Sequence, residues 1–299
     1  MKYFNYKKNF LAIEDDDLCS YKKSKYVIQS APYEYTSSYL QGSHKGPSAI
    51  IKASQFVELF DEELDQESYR YGGICTLPAM DFDGKVDEKA IKLIEKNTAK
   101  LLDDNKFPVT LGAEHTITYG TMRAVQKKYS DVCMLQIDAH SDLRESYHDN
   151  KYSHASVMKR VFDMGVPLTQ IGIRAQCIEE AALIKSSKNI HTFYAHQVRQ
   201  NPNWMDEALK TLGHNVYISI DADGFDPAVV PAVGTAEPNG MLWNETLTFL
   251  KKVIEKKNIV GFDVVEIAPV KGNTLSEYTM AKLVYRLIGY LTLGNKTNY

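Results

Sequence analysis

Apolar runs of four to nine residues alternate with amphipathic stretches along most of the chain. Six of these runs have the length and composition of buried strands. They occupy residues 26–29, 107–111, 132–137, 168–173, 216–220 and 259–267. Strands that alternate with helices predict an α/β protein with a mainly parallel sheet that is covered on both faces.

The stretches between these runs have helical periodicity. Residues 89–102 place Ile91, Ile94 and Leu101 on about one face of a helix. Asn244 is predicted to cap the helix that follows it. Thr274-Leu-Ser-Glu277 has the pattern of a capping box and predicts the start of the last helix.

Composition agrees with a single globular unit. The chain has 299 residues, of which 44% are hydrophobic and 24% charged, enough for a large core. No Pro/Gly/Ser-rich linker, low-complexity tract or internal repeat divides the chain. We therefore predict one domain over residues 1–299.

Charge and hydropathy argue against several partners. The net charge is −3, and Lys and Arg are scattered, so no surface for nucleic acid is predicted. No apolar run approaches the ~18 residues of a membrane span, and the N-terminus lacks the apolar segment of a secretory signal. The widely spaced cysteines form no CxxC pair, which is typical of reduced thiols in a cytoplasmic protein. They are Cys19, Cys75, Cys133 and Cys177.

Candidate metal ligands follow the strand predicted at residues 132–137. This strand leads directly into Asp138-Ala-His140-Ser-Asp142. If the chain stays extended, residues 138, 140 and 142 point to the same side, because strand side chains alternate. In open α/β sheets, ligands bind beyond the carboxyl ends of the strands, which is where these side chains lie.

Two more predicted strands end in similar groups. Residues 216–220 lead into Asp221-Ala-Asp223, and residues 107–111 lead into Gly-Ala-Glu-His115. Alone, an Asp-x-Asp after a strand is more often a turn or a cap, and a single histidine is more often structural. Together, the three groups bring two imidazoles and four carboxylates to one edge of the predicted sheet.

This set of side chains favours two metal ions. Four crowded carboxylates repel one another and raise one another's pKa values, which cations relieve. Six ligands are too many for one zinc. Oxygen-rich ligands with two imidazoles and no thiolate suit manganese best, with iron, cobalt, nickel and zinc as alternatives. Two metals about 3.5–4 Å apart share a water and lower its pKa.

With these motifs, the sequence resembles the ureohydrolases, the family of arginase, agmatinase and their relatives. The matching stretches occur in the family's order and span most of the chain. They are Leu111-Gly-Ala-Glu-His115, Asp138-Ala-His-Ser-Asp142, Ser219-Ile-Asp-Ala-Asp-Gly-Phe-Asp-Pro227 with Pro231 and Gly234-Thr235, and Gly261-Phe-Asp-Val-Val-Glu-Ile-Ala-Pro269. Residues 138–160 are more similar to agmatinases than to arginases.

The resemblance implies a three-layer α/β/α arginase-like fold, two Mn²⁺ ions and a homo-oligomer, either a trimer or a hexamer. It also implies a role for each ligand: His115 and Asp142 on one metal, His140 and Asp223 on the other, and Asp138 and Asp221 bridging both. Asp142 would in addition accept a hydrogen bond from the bridging hydroxide.

Two further residues have roles that the resemblance favours. Glu266 ends an apolar strand, where a carboxylate needs a partner. It either forms a buried structural ion pair or, as the resemblance implies, binds the guanidinium of the substrate through two parallel N–H donors. Considered by itself, His154 is predicted to be an ordinary surface histidine. The resemblance implies instead that it contacts the substrate and acts as a proton shuttle. His148, in the same loop, is the rival for that role.

The resemblance implies hydrolysis of agmatine, a small cationic guanidino compound, to putrescine and urea, a step of polyamine biosynthesis. A metal-bridging hydroxide would attack the guanidinium carbon. Guanidinobutyrate, arginine, another guanidino acid and formiminoglutamate are alternative substrates. A single-zinc deacylase and a noncatalytic metal-binding homologue are alternatives of different classes, and the number of bound metals separates them.

Three stretches depart from the usual family pattern. Gly-Ala-Glu-His115 has one glycine where two are usual, and Gly234-Thr-Ala-Glu-Pro-Asn-Gly240 replaces the commoner Gly-Thr-Pro-Glu-x-Gly-Gly. Gly42-Ser-His-Lys-Gly-Pro47 lacks the arginine that commonly follows Gly-Ser. These departures leave every ligand in place, and we expect them to affect loop shape and thereby the choice of guanidino compound.

Overall fold

The computed structural model describes residues 1–293. The strands within these residues are β1 (Tyr26–Ala31), β2 (Phe60–Asp61), β3 (Gln66–Glu67), β4 (Ile74–Thr76), β5 (Phe107–Gly112), β6 (Cys133–Ile137), β7 (Leu168–Ile173), β8 (Ile190–Tyr194), β9 (Asn215–Asp221) and β10 (Asn258–Val265). The α-helices are α1 (Asp16–Cys19), α2 (Gly46–Ser54), α3 (Glu88–Asp103), α4 (Ile117–Lys128), α5 (Val157–Asp163), α6 (Ile178–Ser186), α7 (Ala195–Gln200), α8 (Trp204–Thr211), α9 (Trp243–Lys256) and α10 (Leu275–Leu293).

Eight of the strands in residues 1–293 form one sheet in the order β4-β1-β5-β10-β9-β6-β7-β8. Every neighbouring pair in this sheet is parallel. The six strands predicted from the sequence are all present. The prediction missed both edge strands, because β4 has only three residues and most of β8 is half-buried with polar side chains among its apolar ones.

Helices cover both faces of the sheet. On one face α10 packs against α2 and α9, and on the other α4 packs against α3 and α5. Separate clusters of buried side chains fill the two spaces between helices and sheet. The three-layer α/β/α arrangement is therefore confirmed. No helix within residues 1–293 is long and apolar enough to cross a membrane.

The predicted helix at residues 89–102 is confirmed as α3, and the last helix begins at Leu275, directly after Thr274. The predicted cap at Asn244 is wrong. Helix α9 begins one residue earlier, at Trp243, and the side chain of Glu245 accepts a hydrogen bond from the N–H of Leu242 at 2.6 Å. Asn244 therefore lies inside the first turn.

The strand register aligns the carboxyl ends of the four central strands. Leu111 of β5 pairs with Val264 of β10, which also pairs with Ile220 of β9, and Ile220 pairs with Ile137 of β6. Strands β5 and β6 are consecutive in this sheet along the chain, yet β10 and β9 lie between them. Such a change of strand order opens a crevice at the carboxyl edge of a parallel sheet.

Candidate metal centre and active-site pocket

The first group of candidate ligands surrounds His115, which follows β5. Its Nδ1 atom lies 3.1 Å from Oδ2 of Asp138 and 3.0 Å from Oδ2 of Asp142. These three residues offer ligand atoms that lie close enough together to hold one metal ion. Oδ2 of Asp221, the last residue of β9, is 3.3 Å from the same nitrogen.

A second group shares Asp138 with the first. The Nδ1 atom of His140 lies 3.0 Å from Oδ2 of Asp223 and 3.7 Å from Oδ1 of Asp138. Asp138, His140 and Asp223 also form a set that could hold a metal ion. The structure thus brings all six predicted ligands together, with Asp138 between two sites.

Strand alternation, which we predicted for residues 138, 140 and 142 and for residues 221 and 223, does not account for all of these positions. Strand β6 ends at Ile137, before Asp138, and Asp142 has a φ of +53°. Residues Ala222–Gly224 form a 3-10 turn rather than a continuation of β9, and the N–H of Asp223 donates to Oδ1 of Asp221 at 2.9 Å. Turns at Asp142 and at residues 222–224 therefore help to direct the side chains into the crevice.

The tautomer of His115 is set by a buried carboxylate behind it. Ser219 donates its hydroxyl hydrogen to Oδ1 of Asp263 at 2.6 Å, and Oγ of Ser219 lies 2.8 Å from Nε2 of His115. Because the serine hydrogen is engaged, its oxygen accepts the hydrogen of Nε2. Asp263 is fully buried and also accepts hydrogen bonds from Tyr217 and Thr118.

This tautomer leaves a lone pair on Nδ1 of His115. That nitrogen is buried and has no hydrogen-bond partner among the described residues, although carboxylate oxygens lie 3.0–3.3 Å away. Lone pairs that face one another in a buried place repel unless a cation lies between them. The donor set therefore fits a metal ion.

The electrostatics of the second group lead to the same conclusion. Burial, with repulsion from Asp142 and Asp223, raises the pKa of Asp138 to about 7. Burial alone would lower the pKa of His140, but the charge of Asp223 raises it to about 11. The carboxylates around His140 therefore favour positive charge in this part of the site.

A chain of amides positions Asp138. Gln136 donates to Oδ2 of Asp138 at 2.7 Å, and Gln170 donates to Oε1 of Gln136 at 2.7 Å. Thr192 of β8 in turn donates to Oε1 of Gln170 at 2.8 Å. The row of hydrogen bonds runs from the outer strand to the residue shared by both sites, and it orients that residue's carboxylate.

Glu266 follows β10 at the level of the candidate ligands. Its φ of +65° ends the strand, so the predicted strand end at residue 267 was two residues too late. The N–H of His115 donates to Oε1 of Glu266 at 2.7 Å. Burial, followed by the charge of Glu114, raises the pKa of Glu266 well above its usual range. No ion-pair partner for Glu266 lies within residues 1–293.

A cavity of about 210 Å³ opens onto these groups. Its lining includes His140, Asp142, Asp223, Glu266 and His154. Burial lowers the pKa of the His154 imidazole. His148, the rival, is exposed and packs against the ring of Tyr147 at 4.2 Å, outside the cavity lining.

Our sequence reasoning missed several residues of the site. Glu114 is fully buried, and burial raises its pKa to about 7 although the N–H groups of Thr36 and Tyr35 lower it. Its place in the matched Gly-Ala-Glu-His115 stretch was the one available signal. Ser219 and Asp263 also lie in matched stretches, as neighbours of residues that we had selected. No sequence pattern indicated Thr36, which contacts His154.

Two of the departures from the family pattern have hydrogen-bond partners in the fold, whereas the third contains Asn239, whose φ is +64°. Ala113 is fully buried, is absent from the positive-φ residues, and accepts a hydrogen bond from the N–H of Glu266 at 2.7 Å. His44, which stands where an arginine is common, contacts the carboxylate of Glu34 through Nδ1. Glu34 also accepts a hydrogen bond from the N–H of Gly42 at 2.7 Å.

The fold and the site together define a hydrolase of the ureohydrolase class, which acts on linear amidine C–N bonds. The chain belongs to the arginase family. The family model described as "Arginase family" matches residues 24–289 of the chain. Our recognition of the family, the fold class and the class of enzyme is thereby confirmed.

Individual relatives cover nearly the whole chain. N(1)-aminopropylagmatine ureohydrolase of Synechocystis sp. is 40% identical over 93% of this chain and 92% of its own length. Agmatinase of Bacillus cereus is 35% identical over 84% of this chain and 86% of its own length. The crystal structure of agmatine ureohydrolase of Thermoplasma volcanium has 31% identity and a TM-score of 0.84, covering 98% of this chain and 97% of the other.

Proposed function

We propose that this protein hydrolyses agmatine to putrescine and urea at a centre that holds two Mn²⁺ ions. The observation that carries the proposal is the pair of His/Asp groups that share Asp138, beside the carboxylate of Glu266 in one cavity. The proposed ligands are His115 and Asp142 on one metal, His140 and Asp223 on the other, and Asp138 and Asp221 bridging.

In this proposal Glu266 binds the guanidinium of the substrate. Its carboxylate faces the cavity, has no ion-pair partner among residues 1–293, and has a pKa raised by burial and by Glu114. A cationic guanidinium relieves that repulsion and offers two parallel N–H donors to one carboxylate. The hydrogen bond from the N–H of His115 orients Oε1 for this contact.

Two side chains would move the proton. Asp142 would accept a proton from the attacking water and pass it to His154, and His154 would deliver it to the departing amine. The bound cations would lower the pKa of that water and stabilise the negative charge that develops during attack. Burial lowers the pKa of His154, so its imidazolium releases a proton more readily than that of an exposed histidine.

N(1)-aminopropylagmatine is the second candidate substrate. The Synechocystis relative with 40% identity carries that activity in its name. The two candidates share the guanidino group and differ at the far amine, which lies at the cavity mouth in our proposal. Hydrolysis would then yield urea and spermidine instead of urea and putrescine.

The two rivals of different class have less support. A single-zinc deacylase needs one group of ligands, whereas two groups that share Asp138 are present. A noncatalytic homologue has no need of a carboxylate without an ion-pair partner inside the cavity. The homo-oligomer and the cytoplasmic location remain predictions from the resemblance and the sequence.

A substrate panel tests the proposal. Urea and amine release is measured for the purified full chain loaded with Mn²⁺, with agmatine, N(1)-aminopropylagmatine, arginine, guanidinobutyrate and formiminoglutamate. We expect two metals per chain and the highest kcat/KM with agmatine. A preference for the aminopropyl compound would establish the second candidate, and a loaded enzyme that releases no urea from any of the five would refute both.

A further inference from the structure

Thr36 lies in the loop after β1 and contacts the proposed proton shuttle twice. Its Oγ1 accepts a hydrogen bond from the backbone N–H of His154 at 3.0 Å and lies 3.0 Å from Nδ1 of the same residue. Ser37 and its neighbours line the cavity, whereas Thr36 is not among the lining residues that the structure describes. One hydroxyl thus holds both the main chain and the ring of His154 from outside the cavity.

We propose that Thr36 is a positioning residue that directs Nε2 of His154 towards the substrate. The inference rests on the proposed function, because it takes His154 as the proton donor. With Nδ1 held by the hydroxyl, Nε2 is the ring nitrogen that remains available to the cavity. A flipped ring would lose the contact with Thr36.

The contact persists through the proton transfer. When His154 is an imidazolium, Nδ1–H donates to Oγ1. The Nε2–H bond then breaks, an N–H bond forms on the leaving amine, and the ring becomes neutral while Nδ1 keeps its hydrogen. Because a hydroxyl oxygen has two lone pairs, Oγ1 accepts from Nδ1 and from the backbone N–H in both states.

Buried Glu114 positions Thr36 in turn. Oε2 of Glu114 accepts hydrogen bonds from the N–H of Thr36 at 2.7 Å and of Tyr35 at 2.9 Å. Glu114 directly precedes the candidate ligand His115 in the chain. The loop that contacts His154 is therefore hydrogen-bonded to the turn that carries the candidate ligand His115. These bonds fix the position of the loop relative to that turn.

Ser153 provides a matched control. Its Oγ lies 3.4 Å from Nδ1 of His154, a longer contact to the same nitrogen, and no hydrogen bond from Ser153 to the His154 backbone N–H is present in the described chain. A hydrogen bond of 3.4 Å orients the ring less strongly than one of 3.0 Å. We therefore assign the positioning to Thr36, and we expect Ser153→Ala to change kcat by less than about twofold.

The test is a double-mutant cycle on the Mn²⁺-loaded full chain. Thr36→Val keeps the shape and removes the hydroxyl, and we expect kcat for urea release to fall about 10-fold while KM stays within about twofold. Thr36→Ser should restore kcat to within about threefold. In a His154→Asn background, Thr36→Val should cause no further loss, because its effect passes through the imidazole.

Three kinetic results would overturn the inference: unchanged kcat in Thr36→Val, a Thr36→Ser variant as slow as Thr36→Val, or an equal loss in the His154→Asn background. Unfolding temperature and metal content are measured for each variant, and Thr36→Ala replaces Thr36→Val if the latter does not fold. The ¹⁵N resonance of the His154 ring reports the contact without turnover. We expect this resonance to shift in Thr36→Val, and an unchanged resonance would refute the inference. A wild-type protein that releases no urea would refute the proposed function, but the resonance could still be measured.

Discussion

Individual residues in the site hold conformations that are unfavourable elsewhere. Asp142 and Glu266 have φ values of +53° and +65°, a region that residues with a Cβ seldom occupy. Burial and mutual repulsion raise the pKa of Glu266. Strain and repulsion of this kind persist where the surrounding fold imposes them, and they concentrate at functional sites. At both residues the fold therefore opposes local preference in favour of a position in the cavity.

Replacing Glu266 by Gln separates binding from stability. The amide keeps an oxygen for the N–H of His115 but loses the charge, so we expect kcat/KM for agmatine to fall by at least about 30-fold, which corresponds to roughly 2 kcal/mol. The unfolding temperature should stay equal or rise, because repulsion with Glu114 is removed. Steady-state kinetics and thermal unfolding measure the two effects. A variant with wild-type kcat/KM would contradict guanidinium binding by Glu266.

The ends of neighbouring elements approach each other closely where the candidate ligands lie. Gly224, in the turn after β9, lies against the end of β6: a Cβ at this position would meet the backbone N of Asp138 at 2.7 Å and the carbonyl carbon of Ile137 at 2.9 Å. Backbone atoms within paired strands have little room to move. The close approach of Asp223 to Asp138 therefore requires a residue without a side chain at position 224.

Gly224→Ala should therefore disturb both the fold and the metal centre. We expect the free energy of unfolding to fall by about 1–3 kcal/mol through overpacking, together with weaker Mn²⁺ binding in titration calorimetry. Gly213→Ala is the matched control, because its Cβ would be exposed and would meet its first heavy atom at 3.7 Å. Equal effects of the two substitutions would show that close packing at Gly224 is not the cause.

At the scale of the whole molecule, a buried ion pair joins the last helix to the β2–β3 hairpin. Helix α10 is bonded to the β2–β3 hairpin by Arg286, whose Nε lies 2.6 Å from Oδ2 of Asp61. The side chains are 6% and 1% exposed, so this ion pair is shielded from solvent. A buried charge that loses its partner destabilises a protein more than a surface pair does.

Arg286→Met should lower the free energy of unfolding by about 3–5 kcal/mol, since Asp61 then lacks its partner. Lys282→Met is the comparison: Nζ of Lys282 lies 3.8 Å from Oε2 of Glu62, which is 72% exposed, and we expect a loss below about 1 kcal/mol. Urea denaturation at one metal concentration measures both. Similar losses in the two variants would contradict the difference between buried and surface pairs.

Local patterns in the sequence predicted part of the secondary structure and the candidate ligands. Periodicity is a property of consecutive residues, so the six strands, the helix α3 and the start of α10 could be predicted from short windows. The choice of ligands depended on residue types after strands, and those side chains do meet in one place. Short or polar edge strands carry little periodic signal, which is why β4 and β8 were missed.

The tertiary structure decided how those side chains meet and what holds them. The order of strands places β10 and β9 between β5 and β6, which no local pattern reveals. A left-handed φ at Asp142 and a 3-10 turn at residues 222–224 help to direct the candidate ligands. The contact between Thr36 and His154 joins residues 118 positions apart. Packing and strand register across the whole chain bring such partners together. A short stretch of sequence carries no information about either.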